Sequence, residues 1–510
     1  MIPMMRLLAS ILALALGSSG SLVSARKIHW EACPTKAIPG LQCGNLTLPI
    51  DYGDSSVGNF TQAIVRLPCV ERDNSTSNCL GSLIYNPGGP GASTIKSIKS
   101  LDDIDFLASE KIRSRYTFVG PDPRGVGESG AVKCDVNIYN RRVPMLIDGK
   151  AGLDELKAQN KALGESCARF TGPLFNFTDT ISTARDLEEI RQALGDDKLN
   201  FVGISYGTQL GSQYAELFPD KVGRMILDGV LDHSQNSADV ALTEAATVEN
   251  SFIRFTQWCN TTSDCSLRGQ DVPSLLAALV DGADKKPIPA LGCEANNCRA
   301  NVTGEEVLLN MQNFLDSSEW PQLAMALGEA SRGNATILST PILSAEKNGS
   351  VEAANIDLSF LAITCLDGWG EDNDEPEQEV QSAISRREPD LKARATMMRG
   401  LFPNTRGLTE SFKSQARCVG WPAAVRNPRR ELKRSQLVQA PAVLLVNALH
   451  DPSTSAAWAV VLRGQMPSAV NVFRDGDGHG SFGLKGETDE AMEAFLVDGR
   501  VPRDLTVFGS

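Results

Sequence analysis

The sequence predicts an α/β architecture: a mostly parallel central sheet flanked by helices, with a helical cap inserted over it. Three observations carry this expectation. Short apolar segments alternate with amphipathic ones from Leu46 to Val230. The short segments are apolar almost throughout, as strands buried on both faces must be. From about His233 to about Asn404 the rhythm turns helical, and two apolar strands then follow.

In chain order, LTLPID and AIVRL read as early strands, and GSLIYNPGGPG and YTFVGPDPRGVGES as strands running into Gly/Pro-rich turns. DTISTARDLEEIRQALG places Ile181, Ala184, Leu187, Ile190 and Leu194 at helical spacing, opens on polar capping residues and stops at Gly195. LNFVGIS is a short strand, TQLGSQYAELF a helix and RMILDGV another strand. ADVALTEAATVENSFIRFTQW and GEEVLLNMQNFL are helices of the cap, and QAPAVLLVNALHDPSTS and AVNVFRDGDGHGSFG return the chain to the sheet. The expected domains are residues 1–25 as a signal peptide, 26–232 and 405–510 as the two parts of the core, and 233–404 as the cap.

Composition narrows the function. The 510 residues are 42% hydrophobic and 22% charged, ordinary for a folded chain, with a net charge of -13. A nucleic-acid partner is not expected, because no basic patch offers to neutralise phosphates; Arg426 to Arg434 reads as a solvated helix face or loop. Arg6, the apolar run LLASILALALG and Val23-Ser24-Ala25 make a secretory signal, with the mature chain expected from near Arg26. The run is about half of the roughly 20 residues a spanning helix needs, so no membrane anchor is expected.

Twelve cysteines in an exported chain read as disulfides: Cys33 with Cys43, Cys69 with Cys79, Cys134 with Cys167, Cys259 with Cys265, Cys293 with Cys298 and Cys365 with Cys418, pairing neighbours in sequence. Eight glycosylation sequons (Asn45, Asn59, Asn74, Asn176, Asn260, Asn301, Asn334 and Asn348) point the same way. Localisation is therefore expected to be extracellular. Neither a metal nor any other cofactor is expected, since the four histidines form no zinc-binding pattern.

Gly203-Ile204-Ser205-Tyr206-Gly207 falls between a strand and a helix. A serine in such a turn stands exposed at the carboxyl edge of a sheet, and glycines on either side relieve crowding. The turn resembles the nucleophile turn of the α/β-hydrolase fold, which is the fold expected here. Serine needs a base, and the base an orienting acid. His479, between Gly478 and Gly480 after the last strand, is the expected base; Asp451, in the turn after the preceding strand, is the expected acid. Asp228 is the alternative acid, Asp475 and Asp477 are rivals within the histidine loop, and His450 reads as structural. Backbone N–H groups of Tyr206 and of Gly88 or Gly89 are the expected oxyanion donors.

Together the motifs resemble the tripeptidyl aminopeptidase-like branch of the α/β-hydrolases. The likeness rests on Trp30 to Cys33, Cys43 to Tyr52, NPGGPG from Asn86, GPDPRGVGES from Gly120, GISYGTQLG from Gly203, Leu227 to Val230, AITCLD from Ala362 and CVGWP from Cys418. The C-terminal part resembles a TAP-like domain, whose acid turn typically reads Asp-Pro-Val-Thr-Pro; here it is Asp451-Pro-Ser-Thr-Ser455. The resemblance implies a peptidase acting at free N-termini, whose substrate ammonium needs buried carboxylates, with Glu244, Glu249 and Asp367 as candidates. A carboxylesterase or metabolite-tailoring hydrolase with the same triad is the alternative, followed by a catalytically silent binding glycoprotein. The substrate is thus expected to be a peptide or an ester; oligomeric state is not legible.

Overall fold

The computed structural model describes residues 27–34, 38–69, 78–98, 103, 106–147, 149–345, 352–368 and 380–509. The signal segment, the start near Arg26, and the sequons at Asn74 and Asn348 lie outside these residues. Ten strands form the main sheet: β1 (His29–Ala32), β2 (Gln42–Pro49), β3 (Asn59–Leu67), β4 (Ser82–Asn86), β5 (Thr117–Pro121), β6 (Leu199–Ile204), β7 (Val222–Asp228), β8 (Val443–His450), β9 (Ala469–Asp477) and β10 (Thr506–Gly509). Their spatial order is β1-β2-β3-β5-β4-β6-β7-β8-β9-β10. The first three strands pair antiparallel, as does β3 with β5, and every pairing beyond is parallel.

Alternating side chains of the central strands fill two cores, as the two-residue period of a strand requires. Ile84, Phe201, Leu227 and Leu445 pack on one face against three helices, α2 (Thr180–Leu194), α3 (Tyr206–Leu217) and α11 (Ala456–Gln465). Leu83, Val202, Ile226 and Leu444 pack on the other face against α12 (Glu487–Asp498). Helix α2 begins where Asp179 accepts from Ser182 N at 2.9 Å and ends at Gly195 in the left-handed conformation, as its sequence predicts.

The Pro-Asp-Pro-Arg motif is a structural joint. Arg124 is fully buried, forks onto Asp186 at 2.6 and 2.7 Å, and donates to the carbonyls of Ile50 and Phe177 at 2.8 and 3.0 Å. Asp122 accepts from Ser93 Oγ, Glu128 N and Ile95 N. Two early turns are thereby fixed to α2 by buried, fully bonded charges.

Between β7 and β8 the regular structure of the described residues is mostly helical. The cap comprises α4 (Ser237–Thr261), α5 (Val272–Lys285), α6 (Gly304–Asp316), α7 (Trp320–Ser331), α8 (Ile356–Leu366), α9 (Val380–Leu401) and α10 (Glu410–Cys418). Its apolar centre includes Phe252, Phe255, Met311 and Leu323, and it continues past residue 404 through Phe412, Ala416 and Val419. Leu153 and Leu156 of α1 (Gly149–Thr171) join it from the N-terminal part of the chain. Segments from both sides of the helical insertion therefore share its apolar centre, because helix–helix burial, not chain position, decides which segments pack together.

Six disulfides pair the cysteines in sequence order. The longest loop, closed by Cys365–Cys418 over 53 residues, ties α8 to α10. Of the described sequon residues, Asn45, Asn59, Asn176, Asn260 and Asn301 are exposed and Asn334 is half-buried. No helix among the described residues is long and apolar enough to cross a membrane.

Candidate active site

The turn between β6 and α3 is strained in the way the glycine pattern predicts. Ser205 has φ 56° and ψ -121°, a region that costs a side-chain-bearing residue energy unless its surroundings enforce it. They do: Ser205 N donates to the Asp228 carbonyl at 2.8 Å, and Thr208 N donates to the Ser205 carbonyl at 2.8 Å. A Cβ on Gly203 would stand 2.3 Å from the Gly207 carbonyl oxygen, and one on Gly207 2.8 Å from Asn86 Oδ1. Only glycine fits either place.

Asp451 and His479 meet beside this turn. His479 Nδ1 lies 3.0 and 2.9 Å from the two carboxylate oxygens of Asp451. Asp451 also accepts from Ser453 N at 2.9 Å, Thr454 N at 2.8 Å and Thr454 Oγ1 at 2.9 Å, so the carboxylate is anchored by its own turn. With Nδ1 donating to the carboxylate, Nε2 is the nitrogen left to take a proton. Burial disfavours the imidazolium, but the charges of Asp451, then Asp316 and Asp228, outweigh that and raise His479 to about 9. Ser205 and His479 line the same cavity. Ser205 Oγ makes no hydrogen bond among the described residues; such bonds are often long in unliganded hydrolases and tighten around substrate.

The rival acids have other work. Asp228 accepts from Ser481 N at 2.6 Å and Phe482 N at 2.7 Å, anchoring the segment after His479, and its burial lifts its carboxyl to about 6. Asp477 pairs with Arg254 of α4, while Asp475 and His450 stand 3.9 Å apart away from the cavity. Arg474, not singled out in the sequence, donates to the carbonyls of Asp477 and Gly480 at 2.9 Å each and holds the histidine loop from beneath. Its strand, AVNVFRDGD, carries other polar residues, so nothing in the sequence set it apart.

The oxyanion candidates separate. Gly88 N donates to Asn86 Oδ1 at 3.0 Å, so that N–H is spent. Gly89 and Tyr206 line the cavity next to Ser205. Gly88 has a different reason to be glycine: a Cβ there would stand 2.3 Å from the Ile204 carbonyl and 2.9 Å from Ser205 Cβ.

The cavity is about 330 Å³ and is roofed by the cap. Of the three carboxylates proposed from sequence, Glu244 lines it; Glu249 and Asp367 do not. Glu244 accepts from Ser411 N at 2.8 Å, and burial pushes it up to about 8. Glu249 instead receives Thr405 N at 3.0 Å and Thr405 Oγ1 at 2.9 Å. Asp367 is fully buried, receives Thr180 N, Gln209 Nε2 and Asn427 Nδ2, and is lifted by burial to about 7. Both answer structural needs within the protein.

Three carboxylates that sequence reasoning missed line the cavity with Glu244: Asp316, Asp357 and Glu410. Asp316 accepts Ser453 Oγ at 2.8 Å on its carboxylate and His479 N at 2.8 Å on its backbone carbonyl, and burial raises it to about 7. Burial raises Glu410 as well. Asp316 closes helix α6, and an acid at a helix C-terminus opposes the helix dipole, a signal legible in the sequence. Among the described residues no group of three or more His, Cys, Asp and Glu could hold a metal ion.

Fold and site together define a serine hydrolase of the α/β-hydrolase fold. Residues 81–277 match the α/β hydrolase fold family and residues 408–507 the family of TAP-like proteins. The chain is 28% identical over 495 residues to serine protease Hip1 of Mycobacterium tuberculosis, covering 93% of this chain and 89% of that one. It is 28% identical over 506 residues to the tripeptidyl aminopeptidase of Streptomyces lividans, covering 94% and 86%. It is also 27% identical over 505 residues to carboxylesterase B of M. tuberculosis, covering 95% and 90%. The protein is thus an α/β-hydrolase with a TAP-like C-terminal domain, similar to both peptidases and an esterase.

Proposed function

We propose that this serine hydrolase is a secreted exopeptidase that releases short peptides or single residues from free N-termini through an acyl-enzyme. Ser205 Oγ attacks the scissile carbonyl while its proton passes to His479 Nε2, held in the reactive tautomer by Asp451. The oxyanion is received by the N–H groups of Tyr206 and Gly89. His479 then protonates the leaving amine, and the acyl-enzyme is hydrolysed by water with the imidazole again as base. Residues 26–232 and the C-terminal part of the chain form the catalytic core in this reading. The cap begins near 233 and runs through α10 rather than stopping at 404.

The observation that carries the reading is the trio Glu244, Asp316 and Glu410 in the wall of the cavity that also holds Ser205 and His479. Burial raises all three. An arriving ammonium reverses that, drawing the carboxyls back to the ionised form and pairing with them out of water. Six disulfides and exposed sequons accord with export.

A second reading, esterase action with the same triad, is favoured by the apolar part of the cavity, formed by Ile204, Leu231, Ile356, Phe360 and Leu361. Purified enzyme assayed on N-terminally free and blocked chromogenic peptides, beside short acyl esters, separates the two. The exopeptidase requires at least about tenfold higher kcat/KM for the free peptides, since one charge-assisted bond is worth that much. Preference for blocked peptides or esters overturns it.

A further inference from the structure

The cavity wall supplied by α10 changes sign along its length. Glu410, Lys413, Ser414 and Arg417 all line the cavity, at the spacing that places them on one stripe of a helix. Glu410 stands at the end where it senses His479. Arg417 lies seven residues on, about 10 Å along the helix axis.

Among the described residues Arg417 makes no ion pair of its own, and its Nη1 is buried without a hydrogen-bond partner. Burial disfavours its charge and nearby Arg299 adds to that, outweighing the favourable fields of Tyr139, Glu305 and Asp357. The surrounding acids are occupied elsewhere. Asp357 accepts from Tyr139 Oη at 2.8 Å, Glu306 from Arg142 at 2.7 Å, and Glu305 from Leu146 N at 2.9 Å. A buried guanidinium with an unmade bond is costly, and such a group in a ligand cavity wall is completed when the ligand brings the acceptor.

We propose that Arg417 forms a carboxylate-binding subsite, so that the enzyme prefers substrates whose acyl portion carries an acidic group. In a peptide that group is an Asp or Glu side chain; in an ester it is a terminal carboxylate. About 10 Å is the length of three extended residues, so a short acyl segment lying along α10 reaches both ends of the stripe. The proposal rests on acyl transfer at Ser205 and holds whether the substrate is a peptide or an ester.

The test compares matched pairs. p-Nitrophenyl hemiesters of glutaric, adipic and suberic acid are assayed against methyl-ended esters of equal length. N-terminally free tripeptidyl p-nitroanilides carrying Glu or Gln at each position are assayed alongside. The wild type is expected to favour the carboxylate member of at least one pair by about tenfold or more in kcat/KM. Arg417→Gln brings that ratio close to one, and Arg417→Lys keeps part of it. Equal rates across every wild-type pair, or a ratio that persists in Arg417→Gln, overturns the subsite. The wild-type pairs and Arg417→Lys decide the question even if Arg417→Gln does not fold. Loss of peptide turnover with the ester ratio intact sinks only the peptidase reading.

Discussion

The two walls of the cavity are built on different principles. On the sheet side Asp451 and Ser205 are held largely by their own turns: Asp451 by the N–H groups of 453 and 454, and Ser205 by Thr208 and two obligatory glycines. On the cap side Glu244, Asp316, Glu410 and Arg417 converge from three helices and are held largely by burial. A rim of local turns gives reaction geometry that tolerates change in the roof. A roof of packed helices gives charges whose strength depends on how much water is excluded.

The sharpest break of this contrast is at the rim. Ser205→Ala is expected to lower turnover by about 10⁴-fold or more while the protein stays folded, and a fluorophosphonate probe should label only the parent protein. Labelling of the variant would move the nucleophile elsewhere. Next comes the acid. Asp451→Asn should reduce kcat by about 10³- to 10⁴-fold, because the amide cannot hold the imidazole tautomer. Asp228→Asn should cost far less, since Asp228 anchors the loop and does not touch His479 Nδ1. The reverse order of effects in steady-state kinetics would exchange their roles.

The same contrast explains what could be read in the sequence. The meeting of Asp451 with His479, and the place of Ser205 beside them, were legible because a strand end, a turn and a few flanking residues set each position locally. Arg474 and the choice between Gly88 and Gly89 were not, since both depend on where Asn86 and the histidine loop place their hydrogen bonds. The cap was read as helical but not as a wall. Glu249 and Asp367 resemble Glu244 in sequence, as acids on apolar helices or at their ends, yet they turn toward protein N–H groups. Only packing distinguishes an acid that faces a cavity from one that caps a turn.

Asp316 is where the walls join, and its effect is smaller but more specific. Its carbonyl receives His479 N, its carboxylate receives Ser453 Oγ, and its charge helps raise the imidazole. Catalysis needs a neutral His479, so the rising limb of kcat/KM against pH should report the raised value. Asp316→Asn removes a negative charge and should shift that limb to lower pH, whereas damage to packing alone would lower the plateau and leave the limb in place. An unmoved limb would show that the roof does not tune the rim.

The smallest effect is on stability, and its sign follows from the buried acids. Glu244, Asp316, Asp367 and Asp228 are raised to about 8, 7, 7 and 6 by burial. The folded protein therefore keeps protons that the unfolded chain releases near pH 4. Their contribution is complete at low pH and is lost as pH rises through the folded values. His479, raised to about 9, acts in the same direction between about 6.5 and 9. His233 opposes them, lowered to about 3 by burial, and it does so below about 6.5, where the unfolded chain gains a proton that the folded protein refuses; the lowered carboxyls of Glu188 and Glu216 oppose them only in the acid range. From pH 8.5 down to 6.5 His479, Glu244, Asp316 and Asp367 take up protons in the folded protein together, so Tm should climb by a few degrees across that interval. A melting series by circular dichroism measures this directly. A flat or falling Tm would mean that the roof carboxyls are better hydrated than their burial implies, and the cavity would then be a weaker trap for charged substrate groups at either end of α10.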